Sequence, residues 1–430
     1  MTPIFTPTLY RLWCLAWRYV HNHERRLVDL LGRTSAEASG SYVATGKLET
    51  KLASLLNGAP QGNPDDFTLR SLYACLAALD AAHREVRQSR LCYAYPEVEI
   101  AGVRYTLLLP GRQSIRRAFP EARRFKLDDQ IGLDGALGLG CRWVALQHED
   151  RLDWGRLDAL DGLHGQSGLR VGIAPCAASQ DMRWQLDAAD RRAPDGRSPL
   201  QCLGCRDEAA LRQTVAAVLR AAYDANVHVL LFPELVLDSA TLQAVRDWLA
   251  AHNLAVPRLR LVVAGSRHCP DGVEFSNRCT VLGLDGSILW EQDKRTPFVL
   301  DDAQALNAIQ PGCTVTKAFE PTLPGYAVAL RESLVGRLLT PICLDYINDP
   351  LWAELGADIF LVPAMTKGVS RFRDAAKRMG AKHGAASFVC NAATDGKDRL
   401  VDYLPGTHAP GAAPTPGGEL FTIDFNFVCI

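Results

Sequence analysis

Residues 336–346 have the sequence GRLLTPICLDY, an apolar run of strand character that ends at a cysteine, Cys343, before the apolar pattern breaks. Open α/β sheets bind their ligands at the carboxyl ends of the strands. A thiol at the end of a core strand is therefore well placed for chemistry. A single cysteine in an apolar run is more often a small buried hydrophobic residue. Support for a catalytic Cys343 has to come from other parts of the chain.

Two segments upstream of Cys343 supply polar residues at the ends of predicted strands. Glu234 follows the apolar strand pattern of residues 227–232 and has the chemistry of a general base. Lys294 follows a predicted hairpin that turns at Asp285-Gly286. Taken singly, the glutamate is better explained as a loop or helix N-terminal acid, and the lysine as a solvated loop residue.

Together these segments resemble the nitrilase, or carbon–nitrogen hydrolase, superfamily. FPE at 232–234, DK at 293–294 and ICLD at 342–345 are similar to its glutamate, lysine and cysteine motifs. Further similar segments are Asn277, Asp285-Gly286, residues 356–359, residues 362–363 and the predicted strand 387–391. The resemblance covers residues 169 to 425. It implies an α/β fold, a four-layer α-β-β-α sandwich, that commonly assembles into dimers and larger oligomers.

The resemblance also implies roles for the site residues. Cys343 would attack the substrate and form a thioester, and Glu234 would transfer protons. Lys294 and the backbone N–H of Leu344 would stabilise the oxyanion. These residue types suit the chemistry independently, since an amide carbon needs a soft nucleophile, a proton shuttle and a facing cation. We therefore predict cysteine-dependent, amidase-type hydrolysis of a non-peptide carbon–nitrogen bond by a Glu-Lys-Cys triad, with no cofactor and no metal.

Three departures from the family pattern concern the substrate. The family often has a second glutamate after the lysine, and Asp301 and Asp302 are the nearest acids here. Tyr346 stands where an arginine is common. Met365 and Thr366 match a loop that often lines the family's pocket, so we expect Tyr346, Met365 and Thr366 to contact substrate. The Pro-, Gly- and Thr-rich segment 395–418 fits either a lid or an unstructured loop.

The first part of the chain carries little chemistry. Apolar residues between Leu9 and Leu31 recur at helical spacing and include Trp13 and Trp17. The Asp- and Gly-rich segment 150–168 has no apolar run and marks a boundary. We therefore predict two domains, a mostly helical N-terminal domain at 1–168 and the hydrolase-like domain at 169–430.

Composition limits the other classes of function. The 430 residues include 47 basic and 48 acidic side chains, so we expect neither a membrane nor a nucleic-acid partner. Thirteen cysteines without framework spacing indicate free thiols in a reducing compartment, and we expect a cytoplasmic protein. The ten histidines lack the spacing of metal ligands, which argues against a zinc hydrolase.

A second hypothesis comes from a different class of protein. The long N-terminal region also fits a nitrilase-like scaffold or ligand-sensing protein that acts within a multi-protein assembly. An intact Glu-Lys-Cys set argues against a pure scaffold, which has no physical need for all three residues. We expect a small-molecule amide substrate, and either a homo-oligomer or a protein partner bound through the N-terminal region.

Overall fold

The structure of the protein is a computed structural model. It describes residues 7–23, 26–27, 30, 45–59, 65–76, 97–100, 103–108, 144–147, 152–163, 168–186, 196–271, 274–309, 315–333, 335–348, 355, 357–383, 385–392, 400–403, 413–414 and 420–426. Most of the segment 395–418, expected to be a lid or a loop, lies outside the described residues, and its alternatives stay open.

The described α-helices include α1 (Pro7–Asn22), α2 (Thr45–Gly58), α3 (Glu208–Asp224), α4 (Ser239–His252), α5 (Ala303–Ile309), α6 (Leu344–Asn348) and α7 (Ser370–His383). Acidic side chains cap the N-termini of α3 and α4. Asp207 accepts a 2.9 Å hydrogen bond from the N–H of Ala210 in α3, and Asp238 accepts one of 2.7 Å from Thr241 in α4. Each such cap stabilises a helix by about 1 kcal/mol. Among the described helices, none combines the length and apolar character that crossing a bilayer requires.

The described strands are β1 (Glu97–Ile100), β2 (Val103–Leu108), β3 (Val144–Gln147), β4 (Leu152–Arg156), β5 (Gly168–Ile173), β6 (Met182–Leu186), β7 (Ser198–Cys205), β8 (Val229–Leu231), β9 (Leu261–Asp271), β10 (Glu274–Gly283), β11 (Ile288–Asp293), β12 (Val299–Leu300), β13 (Ala318–Phe319), β14 (Val328–Ser333), β15 (Gly336–Leu339), β16 (Ile359–Ala364), β17 (Ala386–Asn391), β18 (Leu400–Tyr403), β19 (Ala413–Pro414) and β20 (Phe421–Asn426). Two large sheets have the orders β11-β10-β9-β8-β5-β20-β19 and β18-β17-β16-β15-β14-β4. Two smaller sheets have the orders β12-β13-β7-β6 and β1-β2-β3. Both large sheets mix parallel and antiparallel pairs and are joined by helices, which confirms the predicted α/β class.

The two large sheets face each other across an apolar core. Along β8, Val229 and Leu231 lie in the core shared with the six-stranded sheet, while Leu230 and Phe232 lie in the core beneath α3 and α4. This alternation follows from the two-residue period of a strand that is covered on both faces. β16 contacts β8 and β9, and α7 packs on β17 and β18. The described layers therefore follow the order helix, sheet, sheet, helix.

The N-terminal region combines helices with strands. α1 contacts α2 and the antiparallel β1-β2-β3 sheet, in which Ile100 pairs with Val103. Trp13 is fully buried and stacks on Trp17 with ring centroids 6.3 Å apart. The buried side chains of α1 belong to the same continuous apolar core as those of the two large sheets. A mostly helical domain over residues 1–168 stays a prediction.

The six-stranded sheet begins before residue 169, where we expected the second domain to start. β4 pairs in parallel with β14, placing Leu152 opposite Val328, and Arg331 Nη2 forms a 2.6 Å ion pair with Asp153 Oδ2. The Asp- and Gly-rich composition that suggested a boundary belongs in part to an edge strand, and edge strands tolerate charged residues because one side has no neighbour. The layered region therefore includes β4.

Candidate active site

Glu234, Lys294 and Cys343 meet where strands of the two large sheets end. Glu234 follows β8, Lys294 follows β11, and Cys343 lies between β15 and α6. All three are buried, with relative exposures of 2%, 0% and 4%. Lys294 Nζ donates a 2.8 Å hydrogen bond to Glu234 Oε1, and the charges of both residues act on the Cys343 thiol. The structure thus brings together three residues predicted from distant parts of the chain.

The end of β16 holds the backbones of Glu234 and Cys343. The N–H of Cys343 donates to the carbonyl of Pro363 at 2.9 Å, and the N–H of Glu234 donates to that of Ala364 at 3.4 Å. Cys343 (φ 48°) and Leu235 (φ 61°) adopt left-handed backbone conformations. These cost a non-glycine residue about 1–3 kcal/mol and persist only where surrounding contacts enforce them. β16 provides such contacts and links the two sheets at the site.

The second acid beside Lys294 is Glu320, and the expectation of Asp301 or Asp302 was wrong. Lys294 Nζ donates to Glu320 Oε2 at 2.8 Å, and Glu320 is 1% exposed. Asp301 and Asp302 are exposed, and Asp302 caps α5 by accepting from the N–H of Gln304 at 3.0 Å. Glu320 was missed because β12 and α5 intervene after Lys294. The strand before it, β13, has only two residues and no recognisable pattern.

Asn277, on β10, ties the two carboxylates together. Its Nδ2 donates to Glu234 Oε1 at 2.9 Å and to Glu320 Oε1 at 2.7 Å. Glu320 also accepts from the N–H of Phe298 at 3.0 Å, and its Oε1 lies 3.1 Å from Nε2 of His268. With Lys294, four donors surround the Glu320 carboxylate. Sequence reasoning assigned Asn277 only to the hairpin and gave His268 no role.

The charges of this cluster determine its protonation. Burial lowers the pKa of Lys294, but the charges of Glu234 and Glu320 outweigh that effect and raise it well above its usual value. Burial opposes ionisation of Glu320, yet Lys294 and His268 lower its pKa to about 2. Burial and the charge of Glu234 raise the pKa of the Cys343 thiol well above its usual value. At neutral pH the site therefore holds an ammonium, an ionised Glu320 and a protonated thiol.

Asp345, two residues after Cys343, holds the loop that follows Lys294. Its carboxylate accepts from the N–H of Arg295 at 3.0 Å and from the N–H of Thr296 at 2.7 Å. Burial raises the pKa of Asp345 to about 7, against the opposing effects of these N–H groups and of Lys294. The loop with the lysine is thus anchored to the turn with the cysteine.

We expect Asp345→Asn to change how stability depends on pH. A folded-state pKa raised to about 7 gives stability that is present below the unfolded pKa and is lost as the pH rises through 7. Between pH 5 and pH 8 the wild type should therefore lose about 2 kcal/mol of unfolding free energy that the variant keeps. Urea unfolding at pH 5, 6.5 and 8 measures this difference. Asp301→Asn, at an exposed carboxylate, is the matched control. Parallel pH curves for the wild type and Asp345→Asn would contradict the expectation.

Tyr346 is a core residue, and its assignment to the substrate pocket was wrong. It is 1% exposed, and its hydroxyl donates to Ser387 Oγ at 2.6 Å. Its ring packs against those of Phe360 and Phe372, with centroids 5.4 and 6.4 Å away. The first turn of α6 directs it between the six-stranded sheet and α7.

Met365 and Thr366 follow β16 beside Cys343 and stay pocket candidates. The carbonyl oxygen of Met365 lies 4.0 Å from Cys343 Sγ, and both residues are partly exposed. Asn391 fixes this loop, because its Oδ1 accepts from the N–H of Thr366 at 2.8 Å and its Nδ2 donates to the Thr366 carbonyl at 3.0 Å. The oxyanion role of the Leu344 N–H, at the first residue of α6, also stays a prediction.

Potential metal-ligating side chains in the part of the chain that the structure describes do not form a ligand set. No group of three His, Cys, Asp or Glu side chains there is arranged to hold a metal ion. Cys202 and Cys205 on β7 are free thiols, and burial raises the pKa of Cys202 to about 12. A thiol of that kind is inert at neutral pH.

The fold of the chain is similar to the folds of several solved protein structures. The chain is similar to Nit3 of Saccharomyces cerevisiae, a member of branch 10 of the nitrilase superfamily (14% identity, TM-score 0.40, 60% of this chain and 90% of that one). It is also similar to an amidase from Nesterenkonia sp. (16%, 0.37, 60% and 91%) and to the C. elegans NitFhit protein (14%, 0.40, 60% and 61%). No protein-family model matches the chain, and no curated protein matches it.

Proposed function

We propose that the chain is a cysteine-dependent, amidase-type hydrolase of non-peptide carbon–nitrogen bonds, with the four-layer fold of the nitrilase superfamily over residues 169–430 together with β4. The observation that carries this proposal is Lys294, held between Glu234 and Glu320 beside the buried thiol of Cys343. Burying these charges costs free energy, and apolar side chains of similar volume often stabilise a fold as well or better. A catalytic role explains why the cluster is charged, because proton transfer and stabilisation of a developing negative charge both require these groups.

Acylation begins with the protonated thiol of Cys343, which needs a base at the moment of attack. Lys294 and Asn277 both donate to Oε1 of Glu234, so we assign proton transfer to Oε2. Oε2 takes the thiol proton while sulfur forms a bond to the carbonyl carbon of a small amide. The π electrons of the carbonyl move onto its oxygen, which becomes an oxyanion.

The oxyanion is stabilised by the third N–H of Lys294, since the other two donate to Glu234 and Glu320. The backbone N–H of Leu344 is the second donor. Collapse of the adduct breaks the carbon–nitrogen bond, and the amine leaves with the proton from Glu234. Water then gives a proton to Glu234 and attacks the thioester carbon. Sulfur leaves and regains that proton, and the carboxylic acid is released.

Intact-mass spectrometry after incubation with amides, N-carbamoyl compounds and nitriles tests this proposal. We expect ammonia or amine release and a transient covalent acyl adduct on the wild type, and much slower formation of both by Glu234→Gln, which lacks the base for the thiol proton. Cys343→Ala should form no adduct. Cys279→Ala, which removes a buried thiol from the core between the sheets, should still release product.

Absence of any adduct and of any product from the folded wild type would overturn the proposal. That result would favour the scaffold or ligand-sensing hypothesis. Adducts that persist in Cys343→Ala would contradict the assigned nucleophile while leaving open another cysteine.

A further inference from the structure

His268, on β9, uses both of its ring nitrogens inside the protein. Its side chain has no exposed surface. Nδ1 accepts a 3.1 Å hydrogen bond from the backbone N–H of Cys202, and Nε2 lies 3.1 Å from Oε1 of Glu320. A backbone N–H can only donate, so Nδ1 carries no proton. The imidazole is therefore the neutral form with its proton on Nε2, and it donates that proton to Glu320.

The ring links the seven-stranded sheet to the small four-stranded sheet at two points, the backbone of β7 and the side chain of Glu320. Cys202 lies on β7, and Glu320 directly follows β13, which pairs in parallel with β7 through Ala318 and Ser198. Glu320 reaches the site from this small sheet, whereas Glu234 and Lys294 come from the seven-stranded sheet. His268 belongs to the seven-stranded sheet and bonds to both β7 and Glu320. It therefore fixes how the second acid sits against Lys294.

The donors are divided between the two oxygens of Glu320. Oε1 accepts from His268 and Asn277, and Oε2 accepts from Lys294 and the N–H of Phe298. The two oxygens of a carboxylate are equivalent, so these four donors together fix the position and plane of the group. With His268 bound to Oε1, Oε2 faces the ammonium of Lys294. One N–H of Lys294 is thereby held on Glu320 and points away from the place assigned to the oxyanion.

We propose that His268 is a positioning residue that acts through Glu320 to align the ammonium of Lys294. The inference rests on the proposed function. In this proposal the His268 ring stays neutral in one fixed tautomer and transfers no proton during the reaction. Loss of its Nε2 donor should lower the rate of the chemical step more than it weakens substrate binding.

Two substitutions separate the two ring nitrogens. The amide nitrogen of glutamine occupies the place of Nε2, so His268→Gln keeps the donor to Glu320. The amide oxygen of asparagine occupies the place of Nδ1, so His268→Asn keeps only the acceptor for Cys202. We expect His268→Asn to lower kcat about 10- to 100-fold with KM changed less than about threefold, and His268→Gln to retain kcat within about fivefold.

Rates are measured per active site, counted by the burst of acylation on Cys343. Equal kcat values per active site in both variants, even with fewer folded molecules, would overturn the positioning role and leave a structural one. A loss of kcat in His268→Gln as large as that in His268→Asn would overturn the positioning role as well.

A second measurement does not depend on turnover. In the wild type labelled with 15N-histidine, we expect the His268 ring at pH 7 to show a protonated Nε2 and an unprotonated Nδ1, and Glu320→Gln to shift the Nε2–H resonance. A ring protonated on Nδ1 overturns the inference even if either variant fails to fold. A wild type that shows this tautomer but turns over no substrate refutes the proposed function, and the tautomer alone would then support the contact with Glu320.

Discussion

Lys294→Met is expected to lower the unfolding free energy by about 3–5 kcal/mol and to lower turnover at least 10²- to 10³-fold. The substitution leaves Glu234 and Glu320 buried without their shared cation, and removes the ammonium assigned to the oxyanion. Burial opposes ionisation of Glu320 and Lys294 counteracts it. Without Lys294 we expect burial to dominate and to raise the pKa of Glu320 above its unfolded value. The variant should therefore become more stable as the pH falls from 8 towards 5, because a raised folded-state pKa gives stability that is lost as the pH rises.

Urea unfolding at pH 5 and pH 8, with amide turnover on the folded protein, measures both effects. Lys317→Met makes the same chemical change at an exposed lysine and should leave stability within about 0.5 kcal/mol. The double variant Lys294→Met/Glu320→Gln should regain part of the lost stability, since it removes one of the two unpaired charges. A Lys294→Met protein as stable as the wild type at both pH values would show that the ion pairs contribute nothing to folding.

The sequence was most informative where functional residues follow long apolar strands. Glu234 comes after residues 227–232, and Cys343 ends the apolar run 336–343. In such strands the side chains alternate between two buried faces, so a polar residue at the strand end stands out against the pattern. The regular strand β15 nevertheless ends at Leu339, because the turn with the strained Cys343 already begins after it.

The residues that sequence reasoning misassigned depend on long-range packing. Glu320 reaches Lys294 through the pairing of β13 with β7, a contact between segments more than a hundred residues apart that no local pattern records. Tyr346 was expected in the pocket because it stands where the resembled family commonly has an arginine. The direction of its side chain depends on the first turn of α6 and on Ser387, which only the folded structure supplies.

Gly265→Ala is expected to destabilise the protein by about 3–5 kcal/mol and to lower turnover per folded molecule at least about 100-fold. Gly265 has φ 64°, and an added Cβ would collide with the carbonyl oxygen of Pro233, just before Glu234. The collision cannot relax easily, since backbone hydrogen bonds on either side hold the segments together. Phe232 donates to the Val263 carbonyl at 2.9 Å, and Leu235 donates to that of Ser266 at 2.8 Å.

Gly196→Ala separates backbone strain from the collision. Gly196 has φ 82°, but an added Cβ would meet no atom within 4 Å, so this variant should lose only about 1–2 kcal/mol and keep its turnover. Urea unfolding gives the two stability changes, and amide turnover per folded molecule reports the displacement of Glu234. If both variants lost the same free energy, the left-handed backbone alone would explain the need for glycine at 265. If Gly265→Ala folded stably with full turnover, the carbonyl of Pro233 would have room to move, and the placement of Glu234 would not depend on this contact.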